Sequence, residues 1–254
     1  MVKFEMCKFN KIKEKVCRYY NENDILVDSF WEKHVIKSNF YNIIFNGEII
    51  GYCGICDKRL ITLFNLEKKY SYLAQEIFMK VKYLEEVSEA FVPTGDELLL
   101  SLCLDNFNNI EKQAYFTRDL NINNVVNKEY ISLRIATASD KQIVEKYSDD
   151  FFDDINKYIS KGCIYIAEKE NELVGFGVIE AGIIREDLQS IGMFVRKEFR
   201  RLGIGTSILN GLKDIVKTRR KKAISGCWYY NHNSLKTQFK SGNYCCTRLL
   251  RVKF

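Results

Sequence analysis

The stretch Ser190–Thr206, SIGMFVRKEFRRLGIGT, constrains the fold of this chain more than any other. It begins as an apolar strand, continues as a basic turn and ends with two glycines at the start of a helix. After the glycines, apolar residues recur at helical spacing and predict one buried stripe on a helix that runs to about Lys217. The stripe consists of Ile204, Ile208, Leu209, Leu212, Ile215 and Val216.

The two glycines of this stretch predict an anion-binding site. Gly203 and Gly205 lie on the first helical turn, where backbone N–H groups lack intrahelical acceptors. Because glycine has no side chain, an anion can approach those groups, and the helix dipole attracts it. Arg200 and Arg201 add full positive charges beside them. We therefore predict that Arg200–Thr206, called the glycine cradle below, binds a pyrophosphate.

The order R-x-x-G-x-G, formed by Arg200, Gly203 and Gly205, resembles the acyl-CoA-binding signature of the GNAT N-acetyltransferase superfamily. Other phosphate-binding motifs fit less well. No Lys-Ser/Thr pair follows the glycines as in a Walker loop, and the third glycine of a dinucleotide fingerprint is missing in register. The resemblance implies that the cradle binds acetyl-CoA as a cosubstrate. The alternative is a surface helix whose first turn happens to contain two glycines.

The length and composition suit one large domain or two of ordinary size. With 254 residues, of which 46% are apolar, each half can bury a core of its own. The N-terminal segment is interrupted by charge every two or three residues, so neither a signal peptide nor a membrane span is expected there. Nine cysteines without such a signal indicate reduced thiols in a cytoplasmic protein.

The spacing of cysteine and histidine does not predict a metal site. Cys53-Gly-Ile-Cys56 is the only CxxC, and neither a second pair nor a nearby histidine completes it. Both cysteines lie in an apparent strand, where we expect them to be buried. His34 and His232 are too few for a histidine-rich site. We therefore expect no metal.

The net charge of +6 is concentrated in the second half of the chain. Residues 1–127 carry a net charge of −2, whereas residues 128–254 carry +8. Aromatic residues are not interleaved with the basic run Arg219–Lys222, so nucleic acid is not the expected partner. A cofactor that bears several phosphates explains the charge at least as well.

The two halves of the chain repeat one pattern. Gly47–Ile55 (GEIIGYCGI) parallels Asn171–Ile179 (NELVGFGVI), and each half predicts the order β-α-α-β-β-β-α-β-α-β. That order resembles the GNAT fold over nearly the whole chain. The resemblance implies an α/β (α+β) fold of two tandem GNAT-like domains, each with a mixed, mostly antiparallel central sheet flanked by helices. The asparagine-rich Arg118–Lys128 is the predicted linker between domains at 1–120 and 128–254.

Three local predictions complete this scheme. In the first half, Glu97–Leu104 is predicted as a strand and Asn106–Phe116 as a short helix. In the second half, Ser139 is predicted to cap a helix that ends near Tyr147.

The first domain lacks the glycine cradle. No glycine occurs between Leu66 and Gly95, and Glu67 and Glu76 would repel a diphosphate. We therefore predict that this degenerate domain is a scaffold or a wall of the substrate site.

The resemblance also implies ligand contacts in the second domain. In the GNAT family, the fourth and fifth strands separate, and the acyl-pantetheine arm lies between them. The positions that match the cofactor-binding residues are Met193, Phe194, Val195, Arg200, Arg201, Leu202, Gly203, Ile204, Gly205, Thr206, Asn231 and Ser234. Asn231 and Ser234 also suit the role of helix-capping residues.

The sequence does not identify catalytic groups. Many relatives carry a glutamate on the fourth strand and a tyrosine on the last helix, but Gln189 and Gln238 occupy those positions here and do not titrate. The nearby substitutes are Glu180, Asp187, Tyr229 and Tyr230. An attacking amine must lose a proton. Because a CoA thiol is an adequate leaving group, catalysis mostly by positioning is consistent with this sequence.

Two functional hypotheses follow. The first is an acyl-CoA-dependent N-acyltransferase that moves acetyl from acetyl-CoA to a primary amine of a small molecule. The second is a non-catalytic acyl-CoA-binding sensor or interaction module. Either would act as a monomer or homodimer, without a membrane or nucleic acid as partner.

Overall fold

The computed structural model of this chain describes residues 1–120 and 130–254, which form two compact units. Unit 1 consists of Met1–Tyr115, Ile183–Arg185 and Thr247–Phe254, and unit 2 of the described residues within Phe116–Gly182 and Glu186–Cys246. These units depart from the contiguous division predicted at 1–120 and 128–254, because short segments of each half belong to the other unit.

Twelve strands and eight α-helices follow one another along the described residues. The first eleven elements are β1 (Val2–Cys7), α1 (Phe9–Glu22), α2 (Ser29–Ile36), β2 (Asn39–Phe45), β3 (Glu48–Cys56), β4 (Leu60–Leu66), a 3-10 segment (Lys68–Leu73), α3 (Ala74–Val81), β5 (Glu89–Pro93), α4 (Glu97–Leu104) and β6 (Asn109–Asp119). The others are β7 (Ser132–Ile135), a 3-10 turn (Ala138–Asp140), α5 (Lys141–Tyr147), α6 (Ile155–Ser160), β8 (Ile164–Lys169), β9 (Glu172–Ala181), β10 (Leu188–Val195), a 3-10 turn (Lys197–Phe199), α7 (Ile204–Thr218), β11 (Lys222–Trp228), α8 (His232–Lys240) and β12 (Asn243–Lys253).

Each unit contains a mixed arrangement of parallel and antiparallel strands. In unit 1 the strand order is β1-β2-β3-β4-β5, followed by the part of β12 that pairs with β5. All of these pairings are antiparallel except β4 with β5. In unit 2 the order is β7-β8-β9-β10-β11-β6, with β10 and β11 parallel. The predicted α/β fold with mixed sheets is confirmed.

A glycine at the same place in each unit supports the predicted repeat. A Cβ atom on Gly51 would lie 2.2 Å from the carbonyl oxygen of Asn65, the next-to-last residue of β4. A Cβ atom on Gly175 would lie 2.2 Å from the carbonyl oxygen of Phe194, the next-to-last residue of β10. Both glycines therefore allow the third and fourth strands of their unit to approach closely.

The sixth strand of each sheet comes from a distant part of the sequence. In unit 1, Leu249–Lys253 pair antiparallel with Glu89–Pro93, and Arg251 forms an ion pair of 2.6 Å with the buried carboxylate of Glu89. In unit 2, β6 is the neighbour of β11. The repeat is thus completed by exchanged strand segments, which no local pattern in the sequence indicates.

Three residues of the loop between β9 and β10 also belong to unit 1. Arg185 is 3% exposed and donates from Nη1 to the backbone oxygens of Tyr20, at 3.1 Å, and Ile25, at 3.0 Å. The Glu32 carboxylate accepts the backbone N–H groups of the first two residues of Ile183–Arg185, at 2.8 Å each. Buried charges are thereby hydrogen-bonded, as their desolvation requires.

Two element predictions in the first half are wrong. Glu97–Leu104 forms helix α4, and the segment predicted as a helix, Asn106–Phe116, contains most of strand β6. A short continuous apolar run does not distinguish a buried strand from a buried helix. The Asp96 carboxylate accepts the N–H of Leu99 at 3.2 Å and caps α4, which fixes its start. Strand β5, which was not predicted, is five residues long and fully buried.

The predicted N-cap in the second half is also wrong, by two residues. Thr137 and Asp140 form a capping box, in which the Asp140 carboxylate accepts the N–H of Thr137 at 2.8 Å. Of the predicted linker, Arg118 and Asp119 lie in β6, and the part from 121 to 128 lies outside the described residues.

The apolar stripe predicted after the glycine cradle is the core side of α7. Its residues pack against β9 and β10 in a core cluster of unit 2, with Ile208 and Leu212 fully buried. In the described parts of the chain, no helix has both the length and the apolar character needed to cross a bilayer.

Candidate functional site

Strands β10 and β11 separate after three residue pairs. Their parallel ladder joins Leu188–Ser190 to Lys222–Ile224 and then stops. Both strands continue, and β10 remains paired with β9 as far as Val195. The side of β10 that faces β11 is therefore open beyond Ser190, and a cleft lies between the two strands.

This cleft and the glycine cradle line one pocket of about 780 Å³ in unit 2. Gly192–Val195 of β10 form one wall, and Ser225–Trp228 of β11 form the facing wall. Most residues of the cradle and one side of α8 complete it, together with Phe151, Phe199 and Leu209. The pocket thus extends from the separated strands to the first turn of α7.

The first turn of α7 begins at a glycine that no other residue replaces without strain. Gly203 is the N-cap residue, with φ +86°, in the left-handed region that L side chains rarely adopt. No side chain caps this end of the helix. The first backbone N–H groups of α7 are therefore available to an anion in the pocket.

At Gly205, helix α7 packs so closely against α8 and β10 that there is little room for a side chain. A Cβ atom there would lie 3.2 Å from Cγ2 of Thr237, 3.3 Å from Sδ of Met193 and 3.4 Å from Cγ2 of Val195. All three neighbours line the pocket. A side chain at this position would therefore push α8 and β10 apart or fill the space between them.

The charged residues among the described lining are all basic: Arg200, Arg201, Lys236 and Lys240. Arg200 donates from Nε to the backbone oxygen of Val195 at 3.0 Å, and its guanidinium lies 5.6 Å from the centre of the Phe194 ring. These contacts hold the Arg200 side chain along β10 and leave its terminal nitrogens to donate elsewhere. The pocket is suited to a polyanion.

A buried hydrogen-bond network supports the wall of the pocket formed by α8. The Thr117 hydroxyl lies 2.7 Å from Oε1 of Gln238 and 3.1 Å from the backbone oxygen of Ser225. Asn243 donates from Nδ2 to the same hydroxyl at 2.8 Å, and Gln238 donates from Nε2 to the Ser234 hydroxyl at 3.3 Å. Gln238, at the position where the family resemblance implies a tyrosine, is therefore a buried amide with its own partners.

The N-terminus of α8 is capped by a predicted ligand-binding residue. Oδ1 of Asn231 accepts the backbone N–H of Ser234 at 3.1 Å. Both residues also line the pocket. The capping role is present in the structure, and the ligand role remains a prediction.

Helix α7 is held at its far side by a buried lysine. Nζ of Lys213 donates to the Asp119 carboxylate at 3.0 Å and to the backbone oxygen of Ser241. Burial lowers the pKa of Lys213, and the hydrogen bond to Asp119 opposes that shift. The ion pair fixes α7, and with it the cradle, to strand β6.

Most predicted cofactor-binding residues come together in this pocket. Those that line it are Met193, Phe194, Val195, Arg200, Arg201, Gly203, Gly205, Thr206, Asn231 and Ser234. The other two do not: Leu202 is 54% exposed, and Ile204 is 1% exposed in the core.

The side chains predicted as substitutes for the usual catalytic groups do not line the pocket. Glu180, Tyr229 and Tyr230 are not among the residues that line the pocket. Gln189 is buried in the paired part of β10, where its Oε1 accepts from Arg219 at 3.4 Å. Among the described lining residues there is no Asp, Glu, His or Tyr.

Sequence reasoning missed the facing wall and the basic side of α8. Cys227 and Trp228 of β11 lie across the cleft from β10, and their strand gives no ligand signal of its own. Lys236 and Lys240 could have been found, because their spacing of four places them on the same helix face as Asn233.

Unit 1 differs at the equivalent place. After β4, the chain enters the 3-10 segment Lys68–Leu73, preceded by Glu67 with φ −59°. Lys69 forms ion pairs with Glu48, at 2.8 Å, and Glu67, at 3.8 Å. Side chains and carboxylates occupy the region where unit 2 has glycines and arginines.

Comparisons with known proteins point to one family for both halves. Two family models, each described as an acetyltransferase (GNAT) domain, match residues 8–120 and 160–239. No curated protein sequence matches this chain.

Solved structures share the fold over the whole chain. An acetyltransferase from the GNAT family of Colwellia psychrerythraea has a TM-score of 0.88 at 17% identity and covers 99% of both chains. A GCN5-related N-acetyltransferase from Sphaerobacter thermophilus has a TM-score of 0.65 at 12% identity, over 99% of this chain and 95% of its own. A tandem GNAT protein from the clavulanic acid biosynthesis pathway has a TM-score of 0.59 at 11% identity, over 99% and 97%. At these identities the likeness concerns the fold.

Proposed function

This chain belongs to the GNAT acetyltransferase family, with one family domain in each half, and we propose that it transfers acetyl from acetyl-CoA to a primary amine of a small molecule. Family membership supports acyl transfer in general. The observation that carries the specific proposal is the cleft between β10 and β11, which leads directly to an uncapped, glycine-containing helix start.

The residues of the pocket fit acetyl-CoA. The backbone N–H groups at Gly203–Thr206, with Arg200 and Arg201, would hold the pyrophosphate. The open edge of β10 at Met193–Val195 would bond the pantetheine arm as an added strand. A carboxylate in the lining would oppose such a ligand, and the described lining has none.

Bound acetyl-CoA supplies an activated acyl group with a thiol leaving group. The protein's own contribution is to hold the reacting groups in position and to exclude water. Gln238 cannot titrate, and its side chain is occupied by Thr117 and Ser234. We therefore propose that positioning, rather than a strong acid at the usual tyrosine position, supplies most of the rate.

A second candidate function is a non-catalytic acyl-CoA sensor. The absence of Asp, Glu, His and Tyr from the described lining favours it. The two functions share the pocket and differ only in turnover.

One assay separates them. The full chain is incubated with acetyl-CoA and a panel of small primary amines, and release of the CoA thiol is followed. We expect turnover with at least one amine and no turnover in Gly203→Asp. Binding of acetyl-CoA without thiol release across the panel would favour the sensor.

We further propose that the protein acts in the cytoplasm, as a monomer or homodimer. None of the nine cysteines, all of which lie in the described residues, forms a disulfide, which suits a reducing compartment.

A further inference from the structure

One side of α8 brings two lysines to the pocket. Asn233, Lys236, Thr237 and Lys240 all line it, and their spacing places them on one helix face. Both lysines are exposed. Within residues 1–120 and 130–254, neither has a carboxylate partner. These ammonium groups therefore face the pocket without a neutralising group.

The pocket thus carries two basic sites on different elements. Arg200 and Arg201 precede α7, beside its free N–H groups, whereas Lys236 and Lys240 lie on α8. CoA has two separate anionic groups as well, the pyrophosphate and the 3′-phosphate of its ribose. The glycine cradle has the backbone donors that a pyrophosphate needs, so the second anionic group remains to be matched.

We infer that Lys236 and Lys240 bind the 3′-phosphate of CoA, an inference that rests on the proposed function. A lysine ammonium is a compact, strongly hydrated charge on a flexible stem, which suits an exposed phosphomonoester. Residues four apart on a helix lie close enough to contact one group together. The subsite makes the protein prefer CoA over carriers of the pantetheine arm that lack the 3′-phosphate.

The test compares CoA with 3′-dephospho-CoA by calorimetric titration of the full chain. We expect the wild type to prefer CoA by about tenfold, as two partly exposed ion pairs allow. In K236Q/K240Q the two ligands should bind with about equal affinity. The dissociation constant for 3′-dephospho-CoA should stay as in the wild type. Thermal unfolding of the variant checks that it folds normally.

The matched control is K217Q/K221Q. It removes the same two charges from exposed positions of unit 2 that do not line the pocket. The control should keep the full preference for CoA. A control that loses the preference equally would show that net charge, not a subsite, produces it, and would overturn the inference.

Two further results separate this inference from the proposed function. The subsite is overturned if the wild type binds CoA and 3′-dephospho-CoA with equal affinity. It is also overturned if K236Q/K240Q loses the same affinity for both ligands. Either result leaves the proposed CoA pocket intact. Failure of the wild type to bind CoA at all overturns the proposed function, and the subsite with it.

Discussion

Thr117 and Gln238, which are 121 positions apart in the sequence, are joined by a 2.7 Å hydrogen bond at the wall of the pocket. Thr117 is fully buried on β6, and its hydroxyl also contacts the backbone oxygen of Ser225 and Nδ2 of Asn243. One hydroxyl therefore ties β6, β11, α8 and β12 together beside the proposed ligand site.

Thr117→Val should destabilise the protein by about 1–3 kcal/mol, because Asn243 and Gln238 would lose a buried partner. Denaturant unfolding measures the change. Thr218→Val is the control, since Thr218 is exposed at the end of α7 and its loss should stay within about 0.5 kcal/mol. Equal stability of Thr117→Val and the wild type would show that the network contributes little.

Gly175→Ala and Gly51→Ala should each destabilise their unit by about 1–3 kcal/mol or more, because the added Cβ would overlap a backbone oxygen 2.2 Å away. Gly95→Ala is the control, since the nearest atom to its Cβ would be 4.0 Å away. Thermal unfolding compares the three. If Gly175→Ala unfolded at the same temperature as the wild type, β9 and β10 would not approach each other as closely as described.

Unit 1 should lose stability as pH rises from about 4 to 6. Burial raises the pKa of Asp96 to about 6 from 3.8, against the opposing hydrogen bonds from Tyr19, at 2.7 Å, and Leu99, at 3.2 Å. The folded state therefore binds the proton more tightly than the unfolded state. The stabilisation is complete below pH 3.8 and is lost above about pH 6.

The size of this effect is on the order of 3 kcal/mol at most, since one pKa unit corresponds to about 1.4 kcal/mol. Unfolding free energies of the wild type and Asp96→Asn, measured between pH 4 and 7, give the difference. Asparagine keeps the capping oxygen, so the variant should lose the pH dependence and retain the fold. The same slope in both proteins would exclude Asp96 as its source.

Arg200→Ala should weaken CoA binding about three- to tenfold and reduce its dependence on salt. Exposed charges are screened over about 8–10 Å at 0.1–0.15 M salt, whereas N–H contacts to phosphate are screened much less. Titrations at several salt concentrations measure both effects. Lys217→Ala, exposed and outside the pocket, should leave the affinity unchanged. A wild-type affinity independent of salt would argue against Arg200 as a phosphate ligand.

The sequence predicted strand β10 and helix α7 of unit 2, although it placed the N-cap before α5 two residues too late. Helix α7, strand β10 and the cradle between them follow from apolar periodicity, glycine and charge, which act over a few residues. The same signals failed at Glu97–Leu104, where an apolar run fits either a strand or a helix and the cap at Asp96 decides.

Long-range pairing could not be predicted from one sequence. The second neighbour of β5, besides β4, is Leu249–Lys253, and β6 lies beside β11, because tertiary packing and not local pattern selects strand neighbours. For the same reason the sequence did not show that Thr117 supports the pocket. The spacing of Lys236 and Lys240 shows a basic side of α8, but the sequence alone does not place that side at the cleft.

We propose that each chain holds one acyl-CoA site, formed by the glycine cradle and the cleft of unit 2. Calorimetric titration of the full chain with acetyl-CoA tests it most directly. We predict one site per chain, abolished by Gly203→Asp because a carboxylate would occupy the phosphate position. Gly162→Asp, also at a glycine of positive φ in unit 2 but away from the pocket, should bind normally. Two comparable sites per chain, or unchanged affinity in Gly203→Asp, would contradict the account.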